Sequence, residues 1–427
     1  MIDFHDRLSR AAAQMQESEI RRMGAVAARV ADLISLAPGY PDHTMFAWDE
    51  YRAIASDVLS SRDASVLQYG PTRGYRPLLE SLVGVLQHRS ISTTTEGLLI
   101  TTGSQQGLDL VARLFLDPGD VALMELPSYT GAILAFRNAL GTLAGVRGGT
   151  DGIDLDHLDW ALMQQRGQGR RVAFLYLTPN FQNPTGLLLS RPKRLALLDW
   201  AARRDMLIVE DDPYGVLNFE ASATEADTRP IKADDGEGRV IYLSTFSKTL
   251  TPGFRVAWLV ASASVMAKFE AAKQATDLCT GGLDQRIVYE AIVRGVMTRQ
   301  IPGLRLQYQR KRDAMERALT AELPEARWTG PKGGFFIWLE LPRDVDGEVL
   351  LTKAIEHRIL YVAGAPFFVE APQRHFIRLA FSGTSPVRIT EGIARLARAV
   401  RSERGARSGS GTGVPGSAIS SSPQRPE

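Results

Sequence analysis

Lys248 stands in Leu243-Ser244-Thr245-Phe246-Ser247-Lys248-Thr249-Leu250-Thr251-Pro252-Gly253-Phe254-Arg255, where an apolar strand runs into hydroxyl residues, one lysine, a Pro-Gly turn and an arginine seven residues past the lysine. A lysine at the mouth of an apolar strand is costly to keep charged, because desolvation favours the neutral amine. A neutral amine can condense with a carbonyl. Hydroxyls and an arginine beside it can hold a phosphate. These residues therefore suit chemistry on an aldehyde that carries a phosphate. A surface lysine before a turn would have the same local sequence, so the decision falls to the rest of the chain.

Three more segments bear on it. Thr101-Thr102-Gly103-Ser104-Gln105-Gln106-Gly107 ends a strand and opens a helix. Free amides at a helix N-terminus form an anion site to which Ser104 and Gln105 can add side-chain donors, although a serine there is also an ordinary helix cap. Asn180-Phe181-Gln182-Asn183-Pro184-Thr185-Gly186 is a rigid turn, in which Asn183 offers an amide donor to a phenolate oxygen. Glu210-Asp211-Asp212-Pro213-Tyr214 sets three acids at a buried strand end, which is costly without a cation. Asp211 suits a protonated ring nitrogen. Asp212 fits equally a helix cap or a solvated loop. All four segments lie at carboxyl ends of strands, where ligands gather in open α/β sheets. An aldehyde with a phosphate, a phenolate and a ring nitrogen is pyridoxal phosphate.

The elements that must position these residues follow from periodicity. Helical spacing of Leu8, Ala12, Met15, Ile20, Met23, Val26 and Val30 predicts a helix to about Ala31, broken by the loop Ala37-Pro38-Gly39-Tyr40-Pro41-Asp42. Strands are expected at Leu98–Thr102, Val121–Leu126, Val172–Leu177, Leu207–Glu210, Val240–Leu243 and Val256–Val260, with helices at Gln105–Phe115, Arg191–Arg204 and Ala263–Ala275. This alternation predicts an α/β domain with a mainly parallel, buried sheet. A helix-rich stretch from Gln285 to Ala321 leads to a smaller α+β domain, with strands Phe335–Leu341 and Phe376–Phe381 and helices near Glu348–His357 and Pro386–Arg401. The expected division is 1–46 as N-terminal helix and covering loop joined to the small domain, 47–295 as large domain, 296–403 as small domain, and 404–427 as a disordered tail rich in Ser, Gly and Pro.

Composition removes other classes. The chain has 427 residues, is 44% hydrophobic and 23% charged, and carries a net charge of +2, which argues for no nucleic acid or other polyanion as partner. No apolar run is long enough for a membrane span, and the N-terminus has no signal-peptide core. The single cysteine, Cys279, excludes a disulfide framework, suits a reducing compartment and is expected as a small buried side chain. None of the six histidines is paired at metal-site spacing, so no metal is expected.

Asn-Pro-Thr-Gly at 183–186, Asp-x-x-Tyr at 211–214 and Ser-Lys at 247–248 with Arg255, in this order and spacing, resemble the class I/II aminotransferases of the fold type I pyridoxal-phosphate enzymes. The resemblance covers about Ser18 to Ala399. Phe-Gln-Asn-Pro-Thr-Gly and Ser-Thr-Phe-Ser-Lys-Thr-Leu are similar to the aminoadipate, kynurenine and aromatic subgroup. It implies a three-layer α/β/α large domain with a smaller α+β domain, and a cytoplasmic homodimer with shared active sites. It also implies amino-group transfer from an L-amino acid to a 2-oxo acid, with 2-oxoglutarate as acceptor. In these roles Lys248 would bind the cofactor covalently and carry the Cα proton, and Asp211 would hold the pyridine nitrogen. Asn183 and Tyr214 would bond the phenolate oxygen, and Tyr129 would stack on the ring. Ser104, Gln105, Thr245, Ser247 and Arg255 would surround the phosphate, and Tyr69 would reach the phosphate of the neighbouring subunit. Arg378 would bind the substrate α-carboxylate, although a strand-edge charge is an equal reading of its position. Gly39, Tyr40 and Asn183 would border the substrate. Arg21, in Ser18-Glu19-Ile20-Arg21, would reach the substrate side chain, although a solvated charge beside Arg22 fits the pattern as well.

The chain departs from the subgroup after Ser35. Relatives carry a double glycine and a Leu-Phe-Pro ending, where this chain has Ala37-Pro38-Gly39-Tyr40 and Met45-Phe46-Ala47. Related domains also occur fused to a DNA-binding module, and no winged helix is expected ahead of Ser18. Two alternatives stay open: β-elimination or decarboxylation on the same cofactor, and a pyridoxal-phosphate-binding regulator.

Overall fold

The computed structural model describes residues 4–17, 23, 29–219 and 222–409. Among these, the main sheet has seven strands: β1 (Leu98–Thr102), β2 (Val121–Glu125), β3 (Thr142–Val146), β4 (Val172–Leu177), β5 (Leu207–Asp211), β6 (Val240–Thr245) and β7 (Val256–Val260). Their order is β1-β7-β6-β5-β4-β2-β3. Only β7 is antiparallel to its neighbours, pairing Ala257 with Thr245 and Val256 with Thr102. The reason lies in the connection. The residues between β6 and β7 form two short 3-10 turns with Pro252, too few for a crossover helix, so the chain turns straight back. The parallel strands thus end at one edge, and β7 starts there. Lys248 and Arg255, both in this connection, reach the same edge.

Strand residues alternate between two apolar layers. Leu99, Tyr176, Val209 and Leu243 pack with helices α1 (Ser104–Phe115), α2 (Thr130–Asn138) and α3 (Ala263–Asp277). Leu98, Ile100 and Val256 pack on the other face with helices Arg76–His88 and Gly282–Val293, while Leu175, Leu177 and Ile208 pack there with Leu155–Gly167 and Arg191–Arg204. The same alternation sends Glu210 and Asp211 to opposite faces. Strand β3 was not expected from sequence. Its Thr-Leu-Ala-Gly-Val has weak strand propensity and sits at the sheet edge beside β2.

A second sheet is wholly antiparallel: β8 (Arg327–Trp328), β9 (Phe336–Glu340), β10 (Val362–Ala363) and β11 (Phe376–Ala380), in the order β8-β9-β11-β10. It packs with α4 (Val296–Glu322) and α5 (Pro386–Gly409) around Phe335, Leu339, Leu379 and Ile393. The N-terminal residues join this unit, since Ile34–Ser35 pairs in parallel with Ile359–Leu360. Two expectations need correction. The last helix does not stop at Arg401: α5 continues to Gly409, with a buried Glu403 and an Arg404–Asp344 ion pair of 3.0 Å along its course. The helix expected to run to about Ala31 is not continuous: the helix Arg10–Gln14 ends at Met15, whose backbone is extended, residues 15–17 and 29–31 are not helical, and residues 18–22 and 24–28 lie outside the described residues.

The covering loop is pinned by a buried ion pair. Lys311 Nζ donates to Asp42 Oδ2 at 2.6 Å and to the Ser382 carbonyl at 2.7 Å, and Ser382 Oγ donates to the Tyr40 carbonyl at 2.7 Å. Lys311→Met leaves the Asp42 carboxylate buried without its cation and should cost about 3 kcal/mol in urea unfolding. The double variant Lys311→Met with Asp42→Asn should recover much of that loss. An unchanged unfolding midpoint in the single variant would show that the loop does not depend on this pair.

Candidate active site

Lys248 is half-buried at the carboxyl edge of the main sheet, and its Nζ donates to the Gly39 carbonyl at 3.0 Å. Burial pushes its amine down to about 8, aided by the positive charges of Arg378 and Arg255 and opposed by Asp211. The Phe335 and Tyr214 rings lie 5.6 and 6.0 Å from Nζ. Strand end, Pro-Gly turn and loop thus produce a desolvated, partly neutral amine.

The three acids after β5 have three destinations. Glu210 accepts the backbone N–H groups of Ile231 and Lys232, each at 2.8 Å. Asp212 accepts from Asn180 Nδ2 at 2.9 Å and the Tyr242 hydroxyl at 3.0 Å, and pairs with Arg89 at 3.2 Å. Asp211 is different. Its Oδ2 accepts the Tyr176 hydroxyl at 2.9 Å, while its Oδ1 is buried with no hydrogen-bond partner among the described residues. Burial pushes its carboxyl up to about 7, against the Tyr176 hydrogen bond and the charge of Lys248. A buried carboxylate with one free oxygen calls for a cation or an N–H donor, so a protonated ring nitrogen fits here. Tyr176 was missed from the sequence, because it reads as one more apolar member of β4.

A phosphate cradle lies beside this group. Gly103, at φ +79°, starts α1 without a side-chain cap, and a Cβ there would collide with the Arg255 guanidinium. The uncapped amides of Ser104 and Gln105 and the arginine thus border one small space, as a phosphate requires. Thr245 Oγ1 accepts the Ser247 N–H at 3.0 Å and donates to Ser247 Oγ at 2.9 Å, which fixes both hydroxyl residues in the turn before Lys248. Gln105 Nε2 donates to the Gly131 carbonyl at 2.8 Å, and its Oε1 accepts the Tyr129 hydroxyl at 3.5 Å. Tyr214 is buried, and burial holds its phenol well above the usual range.

Arg378 is only 1% exposed. Its Nη1 donates to Asn183 Oδ1 at 2.9 Å and its Nη2 to the Ala37 carbonyl at 2.6 Å, while its Nε is buried without a partner among the described residues. The guanidinium lies 4.3 Å from the Phe336 ring centroid and 5.2 Å from that of Phe367. Burial lowers its pKa to about 10, which leaves it charged at neutral pH. A buried guanidinium with donors to spare suits a carboxylate. Phe336 and Phe367 carried no sequence signal, since apolar residues in strands and turns are ordinary core. Asn183 takes the Arg378 bond on its oxygen, which leaves its Nδ2 as a donor.

The remaining predicted residues are at the rim. Gly39 packs so closely on Phe336 that a Cβ would collide with the ring. Tyr40 is exposed, and Tyr69 is 79% exposed within one chain, away from the contacts of Lys248. Arg21 lies outside the described residues. Cys279 is half-buried rather than buried.

Comparison with known proteins agrees with this geometry. Residues 32–396 match the family model described as aminotransferase class I and II. An aromatic-amino-acid aminotransferase from Thermococcus litoralis is 37% identical over 94% of this chain and 96% of its own. A 2-aminoadipate transaminase from Thermus thermophilus is 38% identical over 94% of this chain and 98% of its own. The crystal structure of Pyrococcus horikoshii kynurenine aminotransferase, in complex with PMP, superposes with a TM-score of 0.88 at 38% identity, covering 94% of this chain and 98% of that one. The chain belongs to the class I and II aminotransferases, fold type I enzymes that transfer amino groups with pyridoxal phosphate.

Proposed function

We propose that this enzyme takes the α-amino group of an L-amino acid with an aromatic, aminoadipate-like or branched side chain and passes it to 2-oxoglutarate. The observation that carries the reading is a pair of unmatched buried atoms, Asp211 Oδ1 and Arg378 Nε, in groups whose charges both act on Lys248. Pyridoxal phosphate supplies the electron sink that stabilises the charge left at Cα. Asp211 holds the ring N–H, Asn183 Nδ2 and Tyr214 bond the phenolate oxygen, and Tyr129 stacks on the ring. Ser104, Gln105, Thr245, Ser247 and Arg255 hold the phosphate. Arg378 fixes the α-carboxylate, with Gly39 and Tyr40 closing over the substrate. Lys248, neutral in a fraction set by burial, would take up the proton that leaves the substrate Cα and hold it for return. The aromatic and aminoadipate-like donor classes are those in the names of the relatives.

The working unit in this reading is a homodimer in the cytoplasm, a compartment that the single free Cys279 suits. Leu67, Tyr69 and Leu278 are exposed apolar side chains, and Leu278 directly follows Asp277, which accepts from Thr102 at the end of β1. A second subunit would cover them and receive Tyr69 at its phosphate. A panel of amino acids incubated with 2-oxoglutarate, read by glutamate formation, tests the whole reading; no glutamate with any donor would defeat it.

Three variants test the roles. Lys248→Ala should abolish turnover and the visible absorbance of the lysine-bound cofactor, and a borohydride-reducible lysine elsewhere would contradict the assignment. In cofactor-free protein, capture of pyridoxal phosphate should speed up with pH through about 8, where Lys248 loses its proton. Asp211→Asn removes a negative charge that raises the Lys248 pKa, so the midpoint of this profile should move lower, and cofactor retention should fall by about 3 kcal/mol. A profile with an unmoved midpoint would separate Asp211 from the lysine. Arg378→Ala should lower kcat/KM by about 2–5 kcal/mol for every donor alike. A loss confined to some donors would place Arg378 at the side-chain pocket.

A further inference from the structure

A cavity of about 800 Å³ opens between the two sheets, and Lys248, Asp211 and Arg378 are not among its lining residues. One wall is the edge of the main sheet at the ends of β2 and β3, and the other is β8, β9 and β11. Its size is that of a small-molecule site. Inside it lies Glu125, the last residue of β2, which is 7% exposed. The Thr178 N–H bonds this carboxyl, yet Oε2 is buried with no hydrogen-bond partner among the described residues. The other acids of the cavity are engaged: Glu340 meets His375 at 3.5 Å, and Glu370 accepts the Gly145 N–H at 3.1 Å. The walls are aromatic. Trp338 stacks on Phe376 with centroids 5.3 Å apart and planes 8° apart, and Trp160 stands half-exposed at the rim. Arg147 and Arg327 lie at exposed positions of the lining.

An unmatched carboxylate among aromatic faces recognises a cation with an apolar body, because the ring faces and the acid attract the same charge. We propose that this cleft is a second small-molecule site, which takes an organic ammonium ion with an aromatic or aliphatic body, its charge at Glu125 and its body against Trp338 and Phe376. The walls of this site continue into the reaction centre. Gln182, in the lining, donates to the Pro127 carbonyl and accepts from Thr185, and the next residue, Asn183, holds Arg378. Trp338 is the register partner of Arg378 across β9 and β11.

The probe is benzyltrimethylammonium, whose quaternary nitrogen cannot condense with the cofactor aldehyde. Calorimetry on the holoenzyme at pH 8, above the value of about 7 to which burial raises Glu125, should give saturable binding that a saturating 2-oxo acid substrate does not displace. Glu125→Gln keeps the shape of the side chain and should leave basal turnover unchanged while weakening the probe about tenfold or more. Trp160→Ala, at the rim, gives an independent reading through loss of affinity without loss of turnover. Absence of saturable binding, equal affinity in wild type and Glu125→Gln, or displacement by the oxo acid would each overturn the proposal.

Discussion

The bond from Arg378 Nη1 to Asn183 Oδ1 is the contact on which the rest of the site depends. It crosses from the antiparallel sheet to the turn at the carboxyl edge of the main sheet. One partner is a permanent cation held almost entirely out of water, so the geometry must be good or the desolvation is unrewarded. The Phe336 and Phe367 rings fix the guanidinium from the side, and the Ala37 carbonyl takes a second donor. Through that carbonyl the covering loop is placed, and through the loop the Gly39 carbonyl is placed against Lys248. A single buried cation thereby relates three stretches of chain that are far apart in sequence.

The electrostatics follow one rule. At the sheet edge, the acids remote from the ligand space are fully partnered, while Asp211 and Arg378 each keep one buried polar atom without a partner among the described residues. Asp212 is saturated by Arg89, Asn180 and Tyr242. Asp211, its neighbour, keeps one oxygen free and has a raised pKa as a result of burial. Such unsatisfied buried atoms destabilise the folded chain. They persist because two large apolar layers on the main sheet and a separate core around the small sheet hold the backbone regardless.

The sequence made parts of this legible and hid others, for physical reasons. Segments where polar residues interrupt apolar strands stood out, which is why Lys248, Asp211, Asn183 and the Gly103 turn could be found. Residues that act through burial did not. Tyr176 has the pattern of a core residue, and only its register against Val209, two residues before Asp211, brings its hydroxyl to that acid. Phe336 is in the same position, because its use depends on a partner strand. The Arg89–Asp212 pair joins residues 123 positions apart, a separation that local patterns do not encode. Strand β3 escaped because its Ala-Gly pair lacks the branched side chains that mark strands. The run of α5 past Arg401 escaped because it carries charged residues, of which Arg404 pairs with Asp344, rather than an apolar stripe.

The pairing of Ile34–Ser35 with Ile359–Leu360 has a consequence for synthesis. A chain leaves the ribosome from its N-terminus, and domains tend to fold as they emerge. The main sheet can close once Val260 has been made, but the segment that covers the site is translated first and finds its partners last. The Ala37 carbonyl waits for a donor 341 residues away, and Asp42 waits for one 269 residues away. The reactive edge therefore stays uncovered on the nascent chain until nearly the whole polypeptide exists. A truncated product, arrested before Ile359, would carry the lysine and the acid without Arg378 and without the strand that pairs with Ile34–Ser35.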